Sequence, residues 1–302
     1  MTTKTLFGYG PGPNIPVASA AALLRDAVRA DEGGLDLISV TDHPYEADRL
    51  EAYAALGVLL GHTSRITAVA TVTNLAVRPA PLLARTLTSL SALSGGRIVL
   101  GIGAGWRWDD ITRFGAQALT PGAAVRSLEE GIVLIKSLAG GGEPVTFEGE
   151  FHRVTELSPA PVPVPPVWTG SVGPRSLAVT GRVADGWVVP HAADWTSALY
   201  RESRPHIDAA ATAAGRDPAE VVDVFNVLAR ITADPLPATR DESGRWLGGS
   251  VGQWVEELVV AVREHGANGF VYFDSDDPRS DLTLGRWTHE IVPAVRAALD
   301  EP

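Results

Sequence analysis

Eight short apolar segments recur along this chain, and they constrain its fold more than any other feature. Most are continuously apolar rather than alternating, which is typical of parallel strands that are buried on both faces. Apolar residues with helical spacing fill many of the intervals between them. The segments are Thr5–Tyr9, Leu35–Asp42, Ile66–Thr73, Ile98–Gly103, Val167–Gly170, Gly186–Pro190, Val221–Leu228 and Gly269–Asp274. Eight strand–helix alternations in 302 residues predict a (β/α)8 TIM barrel, an α/β fold, rather than an open doubly wound sheet.

Two segments interrupt this alternation of strands and helices, and neither has the composition of a domain boundary. Val145–Phe151 is typical of a hairpin and leads into the proline-rich stretch Pro159–Pro166. Leu236–Gly249 is polar and rich in glycine, which is typical of a mobile loop near the seventh or eighth strand. We therefore expect one barrel domain over residues 1–302, with insertions near 140–166 and 234–250.

Composition excludes several classes of function. The net charge of -11 argues against nucleic acid as a partner, because phosphate backbones require dense Lys and Arg. The amino terminus has no apolar signal segment and the chain no apolar run of membrane-spanning length, so we expect a cytoplasmic protein without membrane contact. The absence of cysteine excludes disulfides, thiolate nucleophiles and cysteine-ligated metals.

Barrel enzymes carry their chemistry at the carboxyl ends of the strands, and this rule selects a few residues. The dipeptides at the predicted strand ends are Asp42-His43, Thr73-Asn74, Gly105-Trp106, Gly170-Ser171 and Asp274-Ser275. The fourth strand ends in Gly101, Gly103 and Gly105, so a flat ligand could lie against bare backbone there. Close packing of strands in the barrel wall is the alternative. Trp106 stands where a dinucleotide fingerprint would need glycine, which argues against a Rossmann fold.

The stretch Gly170–Arg175 lies between a predicted strand and a predicted helix. Backbone N–H groups at a helix start, together with an arginine, suit a bound phosphate. Pro174 fits the first turn of that helix. An ordinary glycine-rich loop is the alternative.

Asp42-His43 allows three interpretations. The pair could cap the next helix, it could belong to a metal site, or His43 could transfer protons beside a redox centre while Asp42 holds a polar group of the cofactor. No His-x-His or His-Glu-x-x-His motif accompanies the pair, so we expect no metal. Thr73-Asn74 is either a turn or a strained peptide that is pressed against a ring.

In sequence order, these motifs resemble the bacterial-luciferase-like oxidoreductase family, also called the luciferase-like monooxygenase superfamily. The motifs that carry the resemblance are Asp42-His43, Ser94-Gly95-Gly96-Arg97, Leu100–Trp106, Thr169–Arg175 and Ala184-Asp185-Gly186-Trp187. The match is good from about Thr5 to Pro190 and weaker beyond. It implies a barrel that holds FMN or the deazaflavin coenzyme F420 at the mouth formed by the carboxyl ends of the strands.

The resemblance also implies roles for individual residues. Asp42 and His43 would lie at the cofactor ring, with His43 as proton donor or base, and Thr73 and Asn74 at a bulge that often contains a non-prolyl cis peptide. Gly105 and Trp106 would line the pocket, and Trp106 would belong to the catalytic residues together with His43 and Asp42. The implied cofactor-binding set is Asp42, Thr73, Asn74, Gly103, Gly105, Gly170, Ser171, Gly173, Pro174 and Arg175. The implied substrate pocket is Tyr9, Trp106, Trp108 and Asp109.

One departure from the family pattern narrows the range of activities that the resemblance implies. The branch that dehydrogenates sugar phosphates carries a glutamate where this chain has Trp106, so glucose 6-phosphate is disfavoured. The segment Gly105–Asp110 resembles the deazaflavin-using reductases. The hypothesis is therefore an F420-dependent oxidoreductase that transfers hydride between the cofactor and an activated C=C, C=N or C=O bond of a small molecule.

Three alternatives stay open at this point. They are an FMN monooxygenase that works with a separate flavin reductase, a non-catalytic flavin-binding protein, and a metal-dependent barrel hydrolase. The resemblance also implies a homodimer through the second and third helices. Apolar residues there could form that contact, although core packing explains them as well. They are Ala54, Leu56, Leu59, Leu60, Leu82, Leu83, Leu87 and Leu90.

Overall fold

The computed structural model describes residues 4–12, 15–191, 193–273 and 280–300. The predicted strand end at Asp274 and Ser275 therefore lies outside the described residues. Among the helices in the described ranges, none combines the length and the apolar character needed to traverse a bilayer.

Eight parallel strands form a closed barrel, which confirms the predicted fold. They are β1 Leu6–Gly10, β2 Leu37–Val40, β3 Thr67–Ala70, β4 Ile98–Gly103, β5 Val167–Thr169, β6 Gly186–Val189, β7 Val222–Val227 and β8 Gly269–Phe273. Each strand pairs with its neighbours in chain order, and β1 pairs with β8 to close the barrel. Every predicted apolar segment overlaps one of these strands, because strands buried on both faces need apolar residues at nearly every position.

Helices surround the barrel. Their bounds are α1 Ala20–Glu32, α2 Ala52–His62, α3 Ala80–Ser94, α4 Trp108–Arg113, α5 Pro121–Ser137, α6 Pro174–Val183, α7 Ala198–Ala213, α8 Val251–His265, α9 Ser280–Arg286 and α10 Val292–Asp300. A π-helical turn, Trp287–Ile291, joins the last two, and 3-10 turns cover Val17–Ser19, Leu75–Val77 and Pro218–Glu220. The predicted start of α5 is confirmed: the Thr120 side chain accepts a hydrogen bond from the backbone N–H of Ala123, and Pro121 is the first helical residue.

The core has two parts, one inside the barrel and one between the barrel and its helices. The inner part is small and consists of Leu37, Val69, Val99, Trp168, Val188, Val224, Val271 and Phe273. Tyr9 is a correction to the predicted substrate pocket. It belongs to the outer part with Phe7 and is only 1% exposed, because alternate residues of a strand face opposite sides and Gly8 and Gly10 take the inward positions.

The motif Ser94-Gly95-Gly96-Arg97 has a structural role. Gly95 ends α3 in the left-handed conformation, at φ 71°. Arg97 donates hydrogen bonds to the carbonyl oxygens of Leu60 and Thr63 at the end of α2, and to that of Ile66 before β3. One side chain thus satisfies carbonyl groups that the end of α2 would otherwise leave unpaired.

Both insertions are held in place by hydrogen bonds within the protein. The predicted hairpin is confirmed as an antiparallel pair of strands, Val145–Glu148 and Arg153–Leu157. The segment predicted as a mobile loop is fastened at both ends. Arg230–Ile231 pairs with Gly248–Gly249, and the Gln253 side chain binds the backbone N–H and carbonyl oxygen of Leu236.

Most of the residues considered for a dimer contact lie in the core instead. Leu56, Leu59, Leu60, Leu83 and Leu87 are buried, because α2 and α3 turn their apolar sides toward the barrel. Leu82 on α3 and Ala54 on α2 are exposed, and Leu90 is half-buried. A contact between two copies of the chain therefore stays a prediction, with these three residues as its remaining apolar candidates.

Candidate active site

A bulged segment follows β3 at the mouth of the barrel. The peptide bond between Thr71 and Val72 is cis, and Thr73–Asn74 then pairs in parallel with the end of β4. The resemblance implied such a bond at Thr73 and Asn74, and the structure places it just before them. Thr73 and Asn74 are both buried.

Val72 fills the space that two of the predicted cofactor-binding glycines leave. A Cβ atom on Gly103 or on Gly170 would lie 3.0 Å from Cγ2 of Val72. At Gly101, a Cβ atom would collide with the carbonyl oxygen of Ala70 on β3. The glycines at the ends of β4 and β5 therefore permit close packing of the protein itself, and the side chain that lies against them is Val72. Sequence reasoning missed this residue.

Gly105 adopts a backbone conformation that favours glycine, at φ 87°. A Cβ atom there would lie 3.0 Å from Cδ1 of Ile111 and 3.3 Å from Oδ1 of Asn74. Gly105 thus brings the loop after β4 against the bulge, and the half-buried ring of Trp108 lies on the same side.

Asp42 lies behind this bulge. Its side chain is fully buried, and its carboxylate binds Arg78 through both oxygens, at 2.7 and 3.1 Å. The backbone N–H of Asn74 donates to the same carboxylate at 3.1 Å. Arg78 also binds Glu51 and stacks over the ring of Tyr53. In this structure Asp42 therefore holds the bulge in place and presents no side-chain surface at the mouth.

His43 is half-buried beside Asp42. Its Nδ1 lies 2.7 Å from the hydroxyl of Tyr45, while Nε2 has no hydrogen-bond partner within the described ranges. Burial lowers the pKa of His43 below its usual 6.5, and the positive charge of Arg49 acts in the same direction. The imidazole is therefore neutral near pH 7, with one nitrogen fixed and the other available.

A charged network joins the loop after β2 to the loop after β4. Arg107 binds Glu46 and Asp110 and stacks over the ring of Tyr45 at 5.0 Å. Arg49 binds the same Glu46 at 2.5 Å. Arg107 therefore closes one side of the mouth next to His43.

The other residues predicted for the pocket are open to solvent. The side chain of Trp106 is 77% exposed, and that of Asp109 is exposed as well. Both lie on the rim of the mouth, close in sequence to Gly105. They are available to a ligand, but the structure does not bury them in a preformed cavity.

The loop after β5 separates into a buried part and an exposed part. The hydroxyl of Ser171 is buried among Thr169, Thr180 and the carbonyl oxygen of Ser176, so it fixes the loop rather than facing the mouth. The backbone carbonyl oxygen of Ser171 accepts a hydrogen bond from Nε1 of Trp187.

Helix α6 begins directly after that loop, with Gly173 as N-cap and Pro174 as first helical residue. No side chain caps its amino terminus, and its first turn carries no acidic residue. Arg175 is exposed and forms no ion pair with any described residue. This helix start therefore combines free N–H groups with an unpaired cation, as an anion site requires.

A second helix start adjoins the first. A Cβ atom on Gly122, in the first turn of α5, would lie 3.5 Å from Nη1 of Arg175 and 3.8 Å from Nη1 of Arg126. Arg126 itself is paired with Glu150 at 2.9 Å. The amino termini of α5 and α6 thus converge around Arg175.

Comparison with known proteins identifies the family of the chain. The model of the family described as "Luciferase-like monooxygenase" matches residues 1–253. A 5,10-methylenetetrahydromethanopterin reductase from Methanolobus tindarius is 32% identical over 71% of this chain and 62% of its own length. An F420-dependent glucose-6-phosphate dehydrogenase from Microbacterium testaceum is 30% identical over 75% of this chain and 68% of its own. The chain thus spans just under two thirds of the first relative and just over two thirds of the second.

Solved structures with low identity share the fold. An F420-dependent secondary alcohol dehydrogenase, solved with an F420–acetone adduct, superposes with a TM-score of 0.78. It is 19% identical, and the superposition covers 97% of this chain and 99% of that one.

Proposed function

The chain belongs to the luciferase-like monooxygenase family, and from this membership we propose that it is a coenzyme F420-dependent oxidoreductase. Two of the proteins compared above are named as F420-dependent enzymes. The observation that carries the proposal is the unpaired Arg175 at the uncapped start of α6, beside a mouth that glycines and Val72 shape. The residues present fit both parts of such a cofactor, its anionic tail and its flat ring.

The anionic tail of F420 fits the start of α6. The free N–H groups there and the guanidinium of Arg175 favour a phosphate through the helix dipole and through charge-assisted hydrogen bonds. The chain carries a net charge of -11, so a local site of this kind is needed to capture an anion against the overall field.

The ring fits the bulge. Val72 is half-buried between Gly103 and Gly170, so part of its apolar side chain stays open toward the mouth. An apolar side chain in this position suits the flat face of a bound ring.

A deazaflavin, when bound, supplies a carbon centre that donates or accepts hydride. The chain's own contribution is orientation and proton transfer. Nε2 of His43 accepts a proton from an alcohol during oxidation and returns one during reduction, while Tyr45 fixes Nδ1. Asp42 and Arg78 hold the bulge that backs the ring. The substrates we propose carry an activated C=C, C=N or C=O bond.

The first test is Arg175→Ala. We expect this variant to weaken the binding of F420 by about 10–100-fold, because hydrogen bonds to charged groups contribute about 1.5–3 kcal/mol. The measurement is fluorescence titration of the purified protein with F420. Arg182→Ala is the matched control, since Arg182 lies on the same helix and is paired with Glu129. Equal affinity of wild type and Arg175→Ala would contradict the placement of the phosphate.

A further inference from the structure

A cavity lies at the amino-terminal end of the barrel, opposite the mouth that the cofactor would occupy. Its volume is about 640 Å³, which is within the range of sites that hold small organic molecules. Residues at the starts of the first five barrel strands line it, together with Arg296 from α10. The cavity shares no described residue with the candidate active site, so it is a separate place on the molecule.

The floor of this cavity is apolar and belongs to the interior of the barrel. Leu37, Val99 and Trp168 line the cavity and are members of the inner part of the core. Leu6, which is half-buried, and Pro166, which is exposed, extend the apolar lining to the rim. The lining therefore suits the apolar body of a small molecule.

Positive charge predominates at the rim. Among the described residues of the lining, Lys4, Arg65 and Arg296 are cationic, and Asp36 alone is acidic. The carboxylate of Asp36 is shared, since Oδ1 binds Lys4 at 2.6 Å and Oδ2 binds Arg296 at 2.7 Å. One carboxylate thus compensates two cations, and the charge of Arg65 is additional. In a chain with a net charge of -11, such a rim is a local exception that favours an anion.

Arg65 has hydrogen-bonding capacity to spare. Its Nη2 donates to the carbonyl oxygen of Asp31, while Nε and Nη1 have no partner among the described residues, and no described carboxylate forms an ion pair with Arg65. The carboxylate of Asp31 is occupied by the backbone N–H groups of Ser64, Arg65 and Ile66. The guanidinium of Arg65 is therefore anchored through one nitrogen and free to bind an oxyanion through the others.

The register of the barrel places Arg65 close to the shared carboxylate. Leu37 on β2 pairs with Thr67 on β3, so Arg65 comes opposite Leu35, one residue before Asp36. Lys4, whose side chain is 71% exposed, approaches Asp36 from the start of β1. Arg65 and Lys4 therefore lie at the same edge of the cavity, above its apolar floor.

We propose that this cavity binds a small organic anion. Its apolar body lies against Leu37, Val99 and Trp168, and its single oxyanion group, of which a carboxylate is the simplest, binds Arg65 and Lys4. Arg65 donates from the nitrogens that the protein leaves unused, and Lys4 donates from the part of its ammonium group that Asp36 does not occupy. The site does not rest on the proposed function, because its residues are not those of the mouth.

Binding of 2-naphthoate, followed by NMR of the tryptophan indoles, tests this site. Protein labelled with 15N is titrated in the absence of F420, and Trp168→Phe identifies the Trp168 signal. We expect a saturable shift of that signal. The uncharged isostere 2-naphthamide should bind about tenfold more weakly, because it lacks the charge that Arg65 and Lys4 recognise. Raising the ionic strength should weaken the binding of naphthoate more than that of naphthamide.

Substitution of Arg65 tests the position of the anionic group. Arg65→Gln is expected to weaken the binding of 2-naphthoate by about tenfold and to leave that of 2-naphthamide within about twofold. Arg201→Gln is the matched control and should bind naphthoate like wild type. Arg201 is also exposed, donates to one backbone carbonyl oxygen, that of Thr196, and has no ion pair with a described residue, but it lies on α7 outside the cavity.

Other indole signals separate a structural defect, or binding elsewhere, from the expected result. The signals of four buried tryptophans report whether each variant is folded, and that of Trp106 reports binding at the mouth. The four are Trp187, Trp195, Trp254 and Trp287.

Four outcomes overturn the site. They are a Trp168 signal that 2-naphthoate does not move, a shift of the Trp106 signal in its place, equal affinity for 2-naphthoate and 2-naphthamide, and wild-type binding by Arg65→Gln. A failure of F420 to bind in a separate titration would overturn the proposed function and leave this result intact.

Discussion

Replacement of His43 by glutamine is expected to lower the turnover number by about 10²–10⁴-fold, the usual contribution of a positioned acid or base. The affinity for F420 should stay within about threefold, because the anionic tail is held at α6 and not at His43. Steady-state kinetics with a carbonyl or alcohol substrate measures the first quantity, and fluorescence titration measures the second. His62→Gln is the matched control, since His62 is exposed at the end of α2.

The pH dependence of the same reaction tests the role of His43 independently. Burial and the neighbouring arginines lower the pKa of His43 below 6.5, so the base form dominates at neutral pH. In the direction of substrate oxidation, kcat/KM should therefore be level above pH 6.5 and fall as the pH drops through the lowered pKa. The His43→Gln variant should lack this fall. Full turnover by the variant, or an unchanged pH profile, would contradict proton transfer by His43.

Replacement of Arg78 by leucine is expected to lower the free energy of unfolding by about 3–5 kcal/mol, which urea unfolding measures. The reason is that the change leaves the fully buried carboxylate of Asp42 without its counter-charge. Loss of the stacking on Tyr53 and of the contact with Glu51 acts in the same direction. Because the bulge loses its support, binding of F420 should weaken as well.

An ion pair on the protein surface provides the control for the Arg78→Leu variant. Arg182→Ala removes one partner of the Arg182–Glu129 pair, whose side chains are about a third exposed, and should cost no more than about 1 kcal/mol. If Arg78→Leu lowered the free energy of unfolding no more than Arg182→Ala does, Asp42 would not depend on Arg78. The role of the Asp42–Arg78 pair in holding Thr73 and Asn74 would then be contradicted.

The barrel could be predicted from the sequence because its strands carry a strong local signal. Segments such as Ile98–Gly103 are apolar at nearly every position, and strands buried on both faces require this. The start of α5 could also be predicted, since Thr120 and Pro121 are typical of the N-cap and the first residue of a helix. In each case the information lies within a few consecutive residues.

The residues that shape the mouth were less predictable, because their partners are distant in the chain. Arg78 binds Asp42 across 36 positions, and Arg107 binds Glu46 across 61. The glycines at the ends of β4 and β5 correctly indicated a close approach, yet spacing alone could not show that Val72 fills the space. Tyr9 was misplaced because the apolar pattern of a strand buried on both sides does not tell which face is inward.

Anaerobic titration of the purified chain with oxidised F420, followed by ligand fluorescence and repeated with FMN, tests the cofactor at the mouth most directly. We expect F420 to bind saturably at about one molecule per chain, with FMN binding at least about tenfold more weakly, and bound reduced F420 to be reoxidised by a small carbonyl compound. No saturable binding of F420, or preferential binding of FMN, would contradict a deazaflavin held between the bulge after β3 and the start of α6.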